Sequence, residues 1–154
     1  MADTQTDRIE KQIEIKAAPS RVWRALTDYK EFGEWFRVRL ESPFVAGKAT
    51  HGQIRHPGYE HVVMEVVVQS IKPETYFSFH WHPYAIEKGV DYSKEKPTLV
   101  EFRLEKTAGG TLLMVTESGF DSIPLGRRSE AFRMNSRGWE GQMGNIARYV
   151  TANA

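Results

Sequence analysis

The chain contains no cysteine, and that single absence removes disulfide staples, thiolate metal sites, cysteine nucleophiles and cysteine-ligated iron–sulfur clusters. An excess of one charge is missing as well. Lysine and arginine number 21 against 20 aspartates and glutamates, a formal net charge of +1 with no run of either sign. That balance argues against nucleic acid or an anionic membrane surface as the main partner. No stretch approaches the roughly 20 apolar residues of a membrane helix. The opening MADTQTDRIEKQ also lacks the apolar core of a signal peptide. We therefore expect a cytoplasmic protein with no membrane insertion. No Gly-x-Gly-x-x-Gly loop follows a strand pattern, so no dinucleotide site is indicated and no cofactor is called for.

What remains reads as an ordinary globular chain, because 154 residues with 40% hydrophobic and 27% charged content can bury a core without staples. The small polar residues 1–7 are expected to form a flexible tail, and residues 8–152 a single domain. The longest helical pattern is Arg127 to Val150, where Phe132, Trp139, Met143, Ile146 and Val150 fall on one stripe. The stripe is uneven. Its second half offers only large apolar groups and should seal a core, whereas its first half sets Asn135 and Ser136 beside Phe132 and should roof a cavity. Gly138, Gly141 and Gly144 lie off the stripe, suited to close approach of another backbone or to a solvated face.

Ahead of this helix the order is a strand, a helix pair and a run of strands. Ile9, Ile13 and Ile15 alternate with polar neighbours, and Pro19 opens a short helix with Val22, Trp23, Ala25 and Leu26 on one face. KEFGEWF forms a second short helix. Strand patterns follow at VRLESPF, Thr50 to Arg55, HVVMEVVVQSI, TYFSFHWHP, TLVEFRLEK and TLLMVTESGF, the last two joined by Ala108-Gly109-Gly110. Tyr84 to Lys96 has no period and reads as a loop, and Gly119 to Gly126 as a connector. Sequential hairpins favour an antiparallel sheet with helices on one face, an α+β arrangement.

Four segments, AAPSRVWRALTDYKEFGEWF, FSFHW, GGTLLMVTESGF and GWEGQMGNIARYV, resemble in that order the START-like (SRPBCC) helix-grip superfamily. Within it they are most similar to the group related to the C-terminal domain of the activator of the heat-shock-protein-90 ATPase. The resemblance runs from about Ile9 to Val150. It implies a helix-grip fold: a seven-stranded antiparallel sheet curved around a long C-terminal helix, two short helices after the first strand, and a hydrophobic cavity between helix and sheet. It does not imply one activity, since members include lipid carriers, plant hormone and allergen proteins and aromatic polyketide cyclases. The chain has no room for the additional N-terminal domain with which chaperone activators engage their partner, which speaks against a co-chaperone role.

Alternation places Glu117 on the same face as Leu113 and Val115. If that face is the inner one, desolvation would raise its pKa toward the range of a general acid or base. The alternative is a strand end where Glu117 meets solvent or pairs with Arg127 or Arg133. His80 and His82 share the face opposite Phe77, Phe79 and Trp81 and lack an evident third ligand, so no metal site is expected. Trp35, Phe36, Phe79, Trp81, Phe102, Phe120, Phe132 and Trp139, with Asn135, are the candidate lining of a pocket for a flat apolar molecule. Arg133 and Arg137 are either solvated or a carboxylate clamp at its mouth.

Three functions follow as expectations. The first is binding of a small hydrophobic or aromatic molecule, lipid-like or phenolic. The second is a cofactor-independent cyclase or hydratase with Glu117 as acid–base. The third makes a protein the partner, with the chain regulating a chaperone ATPase.

Overall fold

In a computed structural model, which describes residues 7–87 and 89–153, the elements follow the expected order. Strand β1 (Arg8–Ile15) leads into helices α1 (Pro19–Thr27) and α2 (Tyr29–Phe36). Strands β2 (Val38–Leu40), β3 (Ala49–Ile54), β4 (Val63–Lys72), β5 (Tyr76–Trp81), β6 (Thr98–Thr107) and β7 (Gly110–Ser118) come next. A 3-10 turn at Phe120–Ser122 precedes the long helix α3 (Leu125–Ala152). Residues 1–6 of the expected tail lie outside the described residues. Asp7 is tied down, its carboxylate accepting from the Asp121 backbone N–H at 3.1 Å and its carbonyl from Gly119 and Phe120 at 3.1 and 3.2 Å.

Local chemistry sets the element ends. Pro19 occupies the first turn of α1, where its missing N–H costs nothing. The Asp28 side chain caps α2 by accepting from the Lys30 and Glu31 N–H groups, and Arg37 in the left-handed region (φ 63°) stops it. Glycine is required at Gly33, where an added Cβ would stand 2.4 Å from the Val38 carbonyl oxygen, so α2 lies directly on β2.

All pairings are antiparallel, and the seven strands run in the order β1-β7-β6-β5-β4-β3-β2. The first strand thus closes against the last. A bulge at Val68/Ser70 adds local twist and bends the sheet around the helices. Its inner face carries Met64, Val66, Val68, Phe77, Phe79, Val100, Phe102, Leu104, Leu113 and Val115, all buried beneath α1, α2 and α3.

Helix α3 is as uneven as its sequence. Trp139, Met143, Ile146 and Val150 in the second half are buried, whereas in the first half only Ala131 is, with Phe132 half-buried. Gly138 and Gly141 have nothing within 4 Å of where a Cβ would stand, and Gly144 meets only the Arg148 guanidinium, 3.2 Å away. The solvated reading of these glycines holds, and close backbone approach does not. Gly138→Ala and Gly141→Ala should each stabilise the fold by about 1 kcal/mol in urea unfolding, by restoring helix propensity without a clash. Gly33→Ala should destabilise it by more than about 1 kcal/mol in the same assay.

Candidate functional site

Glu117 stands near the end of β7, paired with Ile9 of β1 and Val100 of β6, and its side chain enters the space under α3. Its exposure is 0%. The strand-end alternative is overturned, because Arg127 is engaged by Glu95 and Arg133 by Glu130. Four donors converge on the carboxyl group instead. Oε2 accepts from Trp81 Nε1 at 2.6 Å and Thr98 Oγ1 at 2.5 Å; Oε1 accepts from Asn135 Nδ2 at 2.9 Å and Trp139 Nε1 at 2.8 Å. These side chains come from β5, β6 and α3, so one carboxyl joins the sheet to the middle of the helix.

Burial pushes the Glu117 carboxyl above the ordinary carboxylate range, while the bonds from Thr98, Trp81, Asn135 and Trp139 pull it back only in part. The two indole N–H groups can only donate, whereas the Thr98 hydroxyl can also accept. A protonated Glu117 can place its hydrogen on Oε2, facing Thr98.

Around this acid the aromatic side chains form a continuous network. Trp139 lies 5.7 Å from Trp81, 5.7 Å from Phe102 and 6.2 Å from Phe36 between ring centroids. Phe79 joins Trp81 and Phe102 at 5.5 and 6.1 Å, and Trp35 joins Phe36 at 5.7 Å while donating its indole N–H to the Ala25 carbonyl. Phe120 and Phe132 form a separate edge-on pair at 5.2 Å. Six of the eight aromatic candidates are thus brought together around Glu117 and Asn135, and two pair apart from them.

Where a hollow was expected, these rings stand between the sheet and the middle of α3. Hollows lie elsewhere on the surface: a groove of about 620 Å³ along Gln69, Ser70, Lys72, Tyr76 and Arg103, and one of about 190 Å³ between α2 and β2. Bulky side chains occupy the gap that the uneven helix leaves above the sheet. Of the four partners of Glu117, Thr98 escaped the sequence reading. Its signal was available, since Thr98, Val100, Phe102 and Leu104 alternate inward along β6. His82 Nε2 donates to the Glu95 carbonyl oxygen (2.8 Å), and among the described residues no cluster of three or more His, Asp or Glu side chains could hold a metal. Arg133 and Arg137 are exposed.

The loop between β5 and β6 is flanked by Trp81 and Thr98, both bonded to Glu117. Arg127 at the start of α3 pins it. The guanidinium forks onto the Glu95 carboxylate, donates to the Pro83 and Tyr84 carbonyls at 2.9 and 3.3 Å, and lies 4.7 Å from the centre of the Tyr92 ring. Charge-assisted bonds of this kind are the stronger class.

The chain is similar in fold to several solved structures at identities too low to show more. MLL2253 from Mesorhizobium loti is 19% identical with a TM-score of 0.76, covering 96% of this chain and 98% of the other. The solution structure of the Aha1 dimer from Colwellia psychrerythraea is 17% identical with a TM-score of 0.70, covering 93% and 95%. DynU16, a putative protein in the dynemicin biosynthetic locus, is 22% identical with a TM-score of 0.72; the match covers 96% of this chain but 48% of DynU16. No curated protein matches the chain. Among the described residues no helix is long and apolar enough to cross a membrane.

Two outcomes test this geometry. Glu117→Gln should lower stability by about 1–3 kcal/mol near neutral pH, because its amide turns an N–H toward groups that can only donate. The folded-state pKa of Glu117 lies above its unfolded one. Its carboxyl therefore favours the fold fully below the ordinary carboxylate value and loses that contribution as pH rises through the raised one. Thermal unfolding of both proteins from about pH 4 to about pH 8 should show the wild-type advantage shrinking as pH rises. Separately, Arg127→Ala should raise amide hydrogen exchange in the flanking loop roughly tenfold, from the loss of about 1.5 kcal/mol of closure, with β1 and β7 unaffected.

The profile of the family described as activator of Hsp90 ATPase homolog 1-like protein matches residues 16–151, and with the seven-stranded sheet and long helix above, the chain belongs to that family.

Proposed function

We propose that this domain binds a small hydrophobic or aromatic molecule between the sheet and the first half of α3. The apolar body of the guest lies among Phe36, Trp81, Phe102 and Trp139, and its polar end meets Glu117 and Asn135. One observation carries the reading: a fully buried carboxyl sits at the centre of the main aromatic network, held by four side chains that serve it. Replacing buried charges by well-packed apolar residues is often neutral or stabilising, so a polar centre here is costly as a mere fastener and useful as a recognition point. Trp81 and Asn135 are only half-buried, so the network has a yielding side. The similarity of the fold to that of DynU16 is in keeping with a small-molecule guest.

A second reading, a cofactor-independent cyclase or hydratase, draws on the raised pKa of Glu117. Carbon-13 NMR titration of Glu117 decides it, since a carboxyl with an ordinary pKa would leave the domain without its acid–base group. For the binding reading, a thermal-shift screen of apolar and aromatic compounds should find guests that raise the melting temperature by several degrees. At a hundredfold excess over Kd the expected stabilisation is about 2.7 kcal/mol. A screen in which no compound moves the melting point of the folded protein would sink it.

A further inference from the structure

The geometry points to the chemical class of the guest: a hydrophobic organic cation, an ammonium group on an aromatic or alicyclic body, held by the Glu117 carboxylate within Phe36, Trp81, Phe102 and Trp139. This rests on the binding reading above and narrows it.

Glu117 has no counter-charge of its own. All four of its partners are neutral donors. The ionisable groups of the neighbouring elements are engaged or turned elsewhere. On β1, Lys11 faces Glu140 at 3.9 Å. His80 points to the opposite face of β5, and His82 beyond it is bonded to the Glu95 carbonyl oxygen. On β6, Arg103 pairs with Glu101 on the outer face at 3.2 Å. On α3, Arg127 holds Glu95, Arg133 faces Glu130 at 3.8 Å and Arg137 is exposed. An ionised Glu117 is thus an interior negative charge that no described residue neutralises.

The walls suit a cation as well. Trp81 and Trp139 lie 5.7 Å apart, with Phe36 at 5.9 Å from Trp81 and Phe102 at 5.7 Å from Trp139. Aromatic rings attract cations placed over their faces, tryptophan most strongly. An anionic guest meets the carboxylate with the wrong sign.

Room comes from the half-buried partners. Trp81 donates to Oε2 and Asn135 to Oε1, whereas Thr98 and Trp139 are buried. Turning Trp81 and Asn135 outward frees one acceptor position on each oxygen, and an ammonium with three N–H groups fills both. Because burial holds the carboxyl protonated above its ordinary range, the exchange balances as R–NH3+ plus Glu117–COOH giving the R–NH3+···−OOC–Glu117 pair and a released proton.

The test uses three probes of one shape: naphthylmethylamine, naphthalenemethanol and naphthoic acid, titrated against the full chain by tryptophan fluorescence and by calorimetry in buffers of differing ionisation heat. The amine should bind at least about tenfold tighter than the alcohol. The acid should bind weakest, and the amine alone should release up to about one proton. Trp81→Phe, which keeps a ring and removes the competing N–H, should bind the amine several-fold tighter. Glu117→Gln should erase the preference for amine over alcohol. An alcohol or acid that binds as tightly as the amine overturns the cation assignment and leaves the binding reading standing. Failure of all three probes counts against both.

Discussion

The Glu117 carboxyl is the point on which the arrangement depends. Its four bonds reach the last residue of β5, the first of β6 and two positions one helical turn apart on α3. Each bond alone is modest, of order 1 kcal/mol net. Together they settle the rotation of the helix about its axis and the distance at which its first half stands from the sheet. Apolar packing, being non-directional, would leave both free to adjust. Beyond Trp139 the helix needs no such pin, because Met143, Ile146 and Val150 press directly into the core.

Two demands therefore divide α3 between them. Where the helix is close, aliphatic side chains fill the contact. Where it stands off, only tryptophan and phenylalanine reach across, and their indole N–H groups require acceptors when buried. Glu117 supplies that acceptor for Trp81 and Trp139 at once. The acid and the rings thus explain each other: rings of this size fill the gap, and the carboxyl satisfies the polar atoms they bring with them. The same pairing makes the region chemically selective, since anything that takes the place of a ring inherits the hydrogen bond it made.

Much of this was legible in the sequence. Period-two alternation put Glu117 on one face with Leu113 and Val115, with a strand-end reading left open beside it, and the uneven stripe of α3 separated a sealed half from a looser one. Those signals survive folding because they are set by side-chain direction along a single element. What the sequence did not yield lies between elements. Whether the looser half would enclose a void or be filled depended on how far Trp81 and Trp139 reach from different strands and helices, which no one-dimensional pattern encodes. Thr98 was missed because a lone threonine at a strand start is common. It gains meaning only from the residue opposite, nineteen positions away in the chain. Phe120 and Phe132 were grouped with the others by composition, yet the turn after β7 sends them to a separate pair.

The closure of the sheet carries a further consequence. Because β1 hydrogen-bonds along its length to β7, with Arg8 opposite Ser118 and Ile15 opposite Thr111, the first strand made has no partner until most of the polypeptide has left the ribosome. Non-local pairing of this kind slows folding. During synthesis the isoleucines of β1 must wait uncovered, and the acid that organises the interior arrives on the strand that finally receives them.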